Sequence, residues 1–404
     1  MHIALVTPSW PMHRYPNGIV TYVHLLREEL RAQGHRISVF ANRIAPDGHE
    51  PGVHLVSDSM GSRLARRLAR WAGNDLPEVF GWGQRIAASI DEVHRADPVD
   101  VIEMEESFGW CGDVQRLVDI PLVVKLHGPA FLSLVEEELD TPLAQQKIAA
   151  EGRALRRLHT ITSPSGDTLR RTLERYGLRP ALSEVVPNPM QVSTEVGLWD
   201  AARAAPRHIL FVGRFDKRKG GDLVLLAFRR LLETDPRLRL TFVGPDTGLV
   251  RPAGPRIHFD EFCAGHFDPS QRERIDYKGQ LSQADIARLR TQASVTLVAS
   301  RWDNQPNTAL EAMIQACPVV AVQAGGVDEL VEHGVTGLLA RAGDHDDLCA
   351  QLLAALDDPA AAGRMGQAAR RRVLERHAGR TLAEQSLAVY RRAIAQHVQE
   401  AATP

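Results

Sequence analysis

The stretch His208-Ile-Leu-Phe-Val212-Gly213-Arg214-Phe-Asp-Lys-Arg-Lys219-Gly220 decides the fold. A short apolar run that begins at once after polar residues suits a strand buried on both faces. A glycine-bounded basic loop follows it, and from about residue 220 to 233 apolar side chains recur at helical period. Strand, loop and helix in that order start a parallel α/β unit, because the helix carries the chain back to begin the next parallel strand. Downstream the plan repeats. Strands are expected at 238–243 and 295–299, and a helix at 306–316 leads straight into a strand at 319–322.

Upstream, residues 3–7 read as a strand, and Pro16-Asn17-Gly18 opens a helix carrying Ile19, Val20, Val23, Leu26 and Leu30. Gly34-His35 ends that helix. Further apolar runs at 37–40, 99–102, 121–126 and 161–162 alternate with helices, so the first half is a second parallel sheet. The pattern stops at Pro187-Asn188-Pro189. The expected organisation is a Rossmann-like domain over 1–190, a linker over 191–206 and a second Rossmann-like domain over 207–378. A terminal helix over 379–404 is placed to cross back to the first domain. The fold class is α/β: two doubly wound domains facing each other across a cleft, where ligands bind by default.

Composition bounds the function. The chain has 404 residues, 44% of them hydrophobic and 24% charged, which is globular and long enough for two domains. A formal charge of -2 argues against a nucleic-acid coat, so any anion must be bound by locally placed groups. Four scattered cysteines without a CxxC pair read as small buried thiols rather than a metal site. The start His2-Ile-Ala-Leu-Val-Thr7 has no cationic leader, and no apolar run approaches ~20 residues, so a cytoplasmic protein is expected.

At the end of a parallel strand, Arg214 and Lys219 face the ligand-binding edge. A planar fork and a mobile point charge together suit a diphosphate; the alternative is a solvated basic loop, since Lys217 and Arg218 stand beside them. The segment Ser300-Arg-Trp-Asp303-Asn-Gln-Pro306-Asn307-Thr308-Ala-Leu-Glu311 adds to it. Pro306 suits the first helical position, where its missing N–H is no loss. The amides of Asn307 and Thr308 would then point at an anion, aided by the helix dipole. Glu311, a turn further on, can accept from a ribose diol, and Asp303 can reach hydroxyls of a sugar on the diphosphate. His127 follows the strand at 122–126 and precedes Gly128-Pro129, which puts it at a strand end as well.

In order and separation these pieces resemble the family-4 retaining glycosyltransferases of the GT-B fold, over nearly the whole chain. The matching residues are Gly18-Ile-Val-Thr, His127-Gly128, Val186-Pro-Asn188-Pro, Gly213-Arg214 through Lys219-Gly220, and Asp303 through Glu311-Ala312. Cys317-Pro-Val-Val-Ala321 and Gly325-Gly326 followed by Glu329 complete the set. The resemblance implies a hexosyltransferase that moves a sugar from a UDP- or GDP-sugar to a glycan, lipid-linked or small-molecule hydroxyl. No metal and no further cofactor are required, and the product serves polysaccharide or glycoconjugate synthesis. It implies that Arg214 and Lys219 hold the diphosphate and stabilise the leaving group, that Glu311 binds ribose and that Asp303 contacts the donor sugar. Gly18 and His127 would face the transferred sugar and acceptor. Two departures stand out: Asp303 replaces the usual Glu, one methylene longer, and Pro306 stands where many members have glycine. A GT-B-type nucleotide-sugar epimerase and a non-catalytic nucleotide-sugar-binding protein are the alternatives.

Other signals read as structural. Gly81-Trp-Gly83 lacks the third glycine of a dinucleotide fingerprint. Asp344-His-Asp346 reads as a helix cap rather than a metal pair. His258, Asp260, Glu261, His266 and Asp268 fit no metal spacing. Arg63, Arg66, Arg67 and Arg70, interleaved with Leu64, Leu68 and Trp71, make a basic amphipathic stretch. It is suited to an anionic membrane face or an acidic acceptor, with a solvated helix face as the alternative.

Overall fold

The computed structural model describes residues 1–15, 17–56, 81–190, 197–251 and 253–402. Pro16 and the basic stretch Arg63, Arg66, Arg67 and Arg70 lie outside the described residues. The chain divides into two compact units: Met1–Leu134, Leu139–Pro189 and His377–Pro404 form one, Val135–Glu138 and Met190–Arg376 the other.

Among the described residues the first unit holds seven strands: β1 (His2–Thr7), β2 (Arg36–Ala41), β3 (Val53–Leu55), β4 (Val101–Glu105), β5 (Leu122–Lys125), β6 (Thr160–Ser163) and β7 (Leu182–Val185). They run in the order β3-β2-β1-β4-β5-β6-β7, and each neighbouring pair is parallel. The second unit holds β8 (His208–Val212), β9 (Arg239–Val243), β10 (Ile275–Gly279), β11 (Val295–Val298), β12 (Val319–Val322) and β13 (Leu338–Ala340). Their order is β10-β9-β8-β11-β12-β13, again parallel throughout. Helices on both faces bury the central strands completely, which is why those strands read as unbroken apolar runs.

The strands not anticipated from the sequence, β3, β7, β10 and β13, are the four sheet edges. An edge strand meets a neighbour on one side only and carries fewer buried side chains. None of β3 is buried, and β7 and β10 each bury only their first residue. The apolar run by which the inner strands were found is therefore missing from these three, and in β13, buried throughout, it is only three residues long.

The segment expected as a linker is anchored where it is described. Trp199 is buried; its backbone N–H donates to the Gln315 carbonyl at 2.8 Å, and its indole N–H donates to the Ala293 carbonyl at 2.7 Å. The four cysteines are free and buried. Asp344 caps the helix His345–Asp357, its side chain accepting from the Asp347 amide. No helix among the described residues is long and apolar enough to cross a membrane.

The terminal helix Gly379–Ala401 belongs to the first unit. Leu387, Val389, Tyr390 and Ala393 pack with Ile3, Leu5, Tyr22 and Val23 in one apolar cluster. At its centre lies a charged hub. The Glu103 carboxylate accepts from the Tyr22 hydroxyl at 2.8 Å and from the Tyr390 hydroxyl at 2.9 Å. Burial pushes the Glu103 carboxyl above its ordinary range, against the pull of Lys125 and the two tyrosines. Lys125 is itself buried, donates to the Val186 carbonyl and lies 4.7 Å from the Tyr22 ring centroid. Burial pushes its ammonium down to about 8, although Glu103 opposes the fall.

Tyr390 therefore joins the last helix to β4 by a bond made in the core. Replacing it by Phe keeps the ring packing but leaves one carboxylate oxygen of Glu103 without its donor. The expected cost is about 2 kcal/mol, typical of a buried hydrogen bond to a charged group. Tyr390→Phe should lower the urea midpoint followed by far-UV circular dichroism. A Val398→Ala control, on the exposed side of the same helix, should leave the midpoint unchanged.

Candidate active site

In a doubly wound sheet the strand order reverses at one place, and the loops leaving the C-terminal ends of the two strands there turn to opposite faces, opening a crevice. In the second unit that place is between β8 and β11. The loop after β8 holds Arg214 and Lys219, and the loop after β11 holds Asp303 and leads to Asn307, Thr308 and Glu311. The structure thus brings these predicted residues to one edge of one sheet.

The basic loop is held in place by its own bonds and packing. Phe215 is fully buried, with its ring 5.3 Å from Phe259 and 5.8 Å from Phe262. Asp216 organises the turn: its carboxylate accepts from the Lys219 amide at 2.6 Å and from Arg214 Nε at 2.7 Å. The loop ends at Gly220, which has φ +73° and caps the helix Gly221–Thr234. A Cβ there would fall 2.0 Å from the Ala299 carbonyl oxygen. Gly220 is therefore needed for backbone-to-backbone approach of the two loops.

The second loop is set with equal firmness. Lys219 Nζ donates to Asp303 Oδ2 at 2.5 Å, and the Ser300 hydroxyl reaches the same oxygen at 3.4 Å. Burial alone would raise the Asp303 carboxyl; Lys219, with Arg218 and Ser300, outweighs it and holds the group below its ordinary value. From behind, the Gly326 amide donates to the Asp303 carbonyl at 2.9 Å. Gly325, at φ +62°, passes so close that a Cβ would lie 2.2 Å from that oxygen.

Pro306 differs from expectation by one position. Its backbone is extended, at φ -72° and ψ 107°, so it is the residue before the first turn, and the helix runs Asn307–Ile314. Its carbonyl accepts from the Ala309 and Leu310 amides. The amides of Asn307 and Thr308 are the first of the helix and have no carbonyl behind them within it. The Thr308 hydroxyl donates to the Val212 carbonyl at 3.3 Å, tying this helix to the end of β8. Glu311 is paired with Arg290, whose guanidinium is buried. Asp216, Arg290 and Arg301 were missed by the sequence reading. Asp216, two residues after Arg214, was the one signal for them, since Asp is the usual residue for such a turn.

Gly18 and His127 belong to the first unit. Gly18 starts the helix Gly18–Ala32, capped by Asn17, whose side chain accepts from the Ile19 amide. Tyr22, one turn on, meets the His127 ring edge-on at 5.0 Å. The amides of His127 and Gly128 donate to the two oxygens of Glu106, at 2.8 and 2.7 Å. Burial, reinforced by Lys125, pushes the His127 imidazole down to about 3, so the ring is neutral near pH 7. It can donate or accept a hydrogen bond but brings no charge. Glu106 was also missed; three glutamates in the otherwise apolar Val101–Glu106 run were the available signal.

Comparison with known proteins bears on the family. Residues 16–193 match the family Glycosyltransferase Family 4, and residues 201–372 match Glycosyl transferases group 1. The D-inositol 3-phosphate glycosyltransferase of Kribbella flavida is 30% identical over 317 residues, 73% of this chain and 72% of that protein. The glycogen synthase of Mycobacterium tuberculosis is 25% identical over 420 residues, 96% of this chain and 94% of that protein. Among solved structures, Anabaena HepE in complex with UDP-glucose has a TM-score of 0.70 at 18% identity, covering 99% of this chain and 100% of that one. That likeness concerns the fold alone. The chain belongs to glycosyltransferase family 4 of the GT-B fold, enzymes that act on nucleotide sugars.

Proposed function

We propose that the enzyme transfers a hexose from a UDP- or GDP-sugar to a hydroxyl of a glycan, lipid-linked or small-molecule acceptor, with retention at the anomeric carbon and without a metal ion. The observation that carries this reading is the Lys219–Asp303 pair, which spans the two loops of the strand-order reversal just ahead of a helix start. Arg214, Lys219 and the Asn307 and Thr308 amides receive the diphosphate. Asp303 takes hydroxyls of the donor sugar, Glu311 takes the ribose, and Gly18 and His127 face the transferred sugar and acceptor.

The physical logic is electrostatic. As the bond from the anomeric carbon to the diphosphate oxygen lengthens, negative charge accumulates on the leaving group. Fixed cations and a helix dipole stabilise that charge most when they are already in place. Arg214 and Lys219 supply at this position what a divalent cation supplies elsewhere. Both are paired with carboxylates in the structure, Arg214 with Asp216 and Lys219 with Asp303. A diphosphate exchanges one anionic partner of Lys219 for another, and Asp303 is then released toward sugar hydroxyls. As the bond from the anomeric carbon to the diphosphate oxygen breaks, the acceptor hydroxyl oxygen bonds to that carbon on the same face and its proton passes to the departing diphosphate oxygen. Substitution on one face, without a protein nucleophile, gives retention.

These roles carry two expectations. Arg214→Ala and Lys219→Ala should each lower kcat/KM about 100-fold, as the loss of one preorganised charge-stabilising group does elsewhere. They should also abolish the rise in Tm that UDP or GDP gives the wild type; unchanged turnover would refute the assignment. The product anomer, read by proton NMR, should match the donor, and turnover should persist in EDTA.

Asp303→Asn separates binding from transfer. Without its carboxylate partner Lys219 is free for phosphate, so UDP should bind several-fold tighter by calorimetry. Transfer should nonetheless fall, because the sugar loses its acceptor group. Unaltered UDP affinity would mean that Lys219 is not shared between the two anions.

A further inference from the structure

We infer that Arg301 and Asp222, neither assigned to the donor site, form a positioning clamp that holds the basic loop in its diphosphate-binding shape. This rests on the reading of Arg214 and Lys219 given above. Arg301 lies in the loop after β11 and ties itself to the other loop with main chain and side chain together. Its backbone N–H donates to the Arg218 carbonyl at 2.9 Å. Its Nη1 donates to the Lys217 carbonyl at 2.7 Å. The same guanidinium meets Asp222 as a fork, Nη1 to Oδ1 at 2.7 Å and Nη2 to Oδ2 at 2.8 Å.

Asp222 lies in the first turn of the helix Gly221–Thr234, and its side chain is largely buried. A carboxylate there is favoured by the helix dipole and completes a rigid planar pair with the guanidinium. The clamp thus grips the loop at Lys217 and Arg218 and the following helix at Asp222. Lys219 lies between those grips. With Gly220 packed against the Ala299 carbonyl, the backbone of Lys219 has little freedom, and its side chain is delivered to Asp303.

Holding the loop in advance matters for affinity because an unclamped loop must be ordered when the anion binds. Arg301 is suited to this because both of its terminal nitrogens are engaged within the protein, Nη2 by Asp222 and Nη1 by Asp222 and the Lys217 carbonyl. Lysine cannot replace it, since one ammonium cannot serve two carboxylate oxygens in a plane and a carbonyl beyond them.

The test is calorimetric binding of UDP and GDP to the full chain in wild type, Arg301→Lys, Asp222→Asn and the double variant, well below each protein's Tm. Each single variant should bind the nucleotides about tenfold more weakly, as expected when a bidentate charged pair is lost from a preorganised loop. The double variant should be no weaker than either single one, because both remove the same clamp. A merely stabilising role would lower Tm and leave nucleotide affinity at the wild-type value, which would overturn the inference. So would additive losses in the double variant. If Arg214→Ala and Lys219→Ala bind both nucleotides as wild type does, the donor-site reading fails and the clamp proposal with it. If those two lose binding while Arg301→Lys and Asp222→Asn keep it, the clamp alone is wrong. Asp222→Asn keeps the size of the side chain, so the proposal stays testable if Arg301→Lys folds poorly.

Discussion

Lys219 and Asp303 stand 84 residues apart in the chain and meet because the strand order turns back between β8 and β11. The contact sets the character of this sheet edge. An unpaired ammonium held in a largely dry crevice would be expensive, and so would an unpaired carboxylate; together they offset each other's desolvation. The pair therefore keeps the edge stable while holding a cation ready.

The two sheets differ in the charge of their C-terminal edges, although both are parallel and doubly wound. In the second unit the edge presents Arg214, Lys219 and a helix start, which favour an anion. In the first, β4 ends in Glu105 and Glu106, with Glu151 nearby, all buried. Burial pushes Glu105 up to about 7 and Glu151 up to about 8. The oxygens of Glu105, Glu106 and Glu151 are engaged by the Ser107 hydroxyl and by the amides of His127, Gly128 and Ala130. The same doubly wound topology thus carries different side chains at the two edges.

The inner strands and the loops that leave them were legible in the sequence because burial on both faces writes a continuous apolar run, and because glycine and proline punctuate the loops beyond it. Arg214, Lys219, Asp303, Asn307 and Thr308 could be placed on one edge for that reason alone. The edge strands were not legible: β3, β7 and β10 are largely exposed and carry no such run, and β13, though buried, is only three residues long. Partnership was legible least of all. Nothing local announces that Glu311 pairs with Arg290, that Glu106 takes the amides of His127 and Gly128, or that Arg301 forks onto Asp222. These bonds join residues 21, 22 and 79 positions apart, and only the assembled sheet brings them together. Trp199 is a partial exception. A lone indole among small residues is a poor linker component, and its burial within the second unit follows from that apolar area.

The two departures from the family pattern, Asp303 and Pro306, have a common physical consequence. Pro306 carries no N–H and makes no side-chain cap, so the helix Asn307–Ile314 begins with its first amides unclaimed from within. Asp303, a methylene shorter than Glu, keeps its carboxylate close to its own backbone, where the Gly325-Gly326 segment fixes its carbonyl. A longer side chain would sweep a wider arc; in this structure the loop backbone sets where the carboxylate stands, beside Lys219. A rigid backbone can do that only if both loops are held, and the close approach of Gly220 to Ala299 holds one to the other at the point where the charges meet.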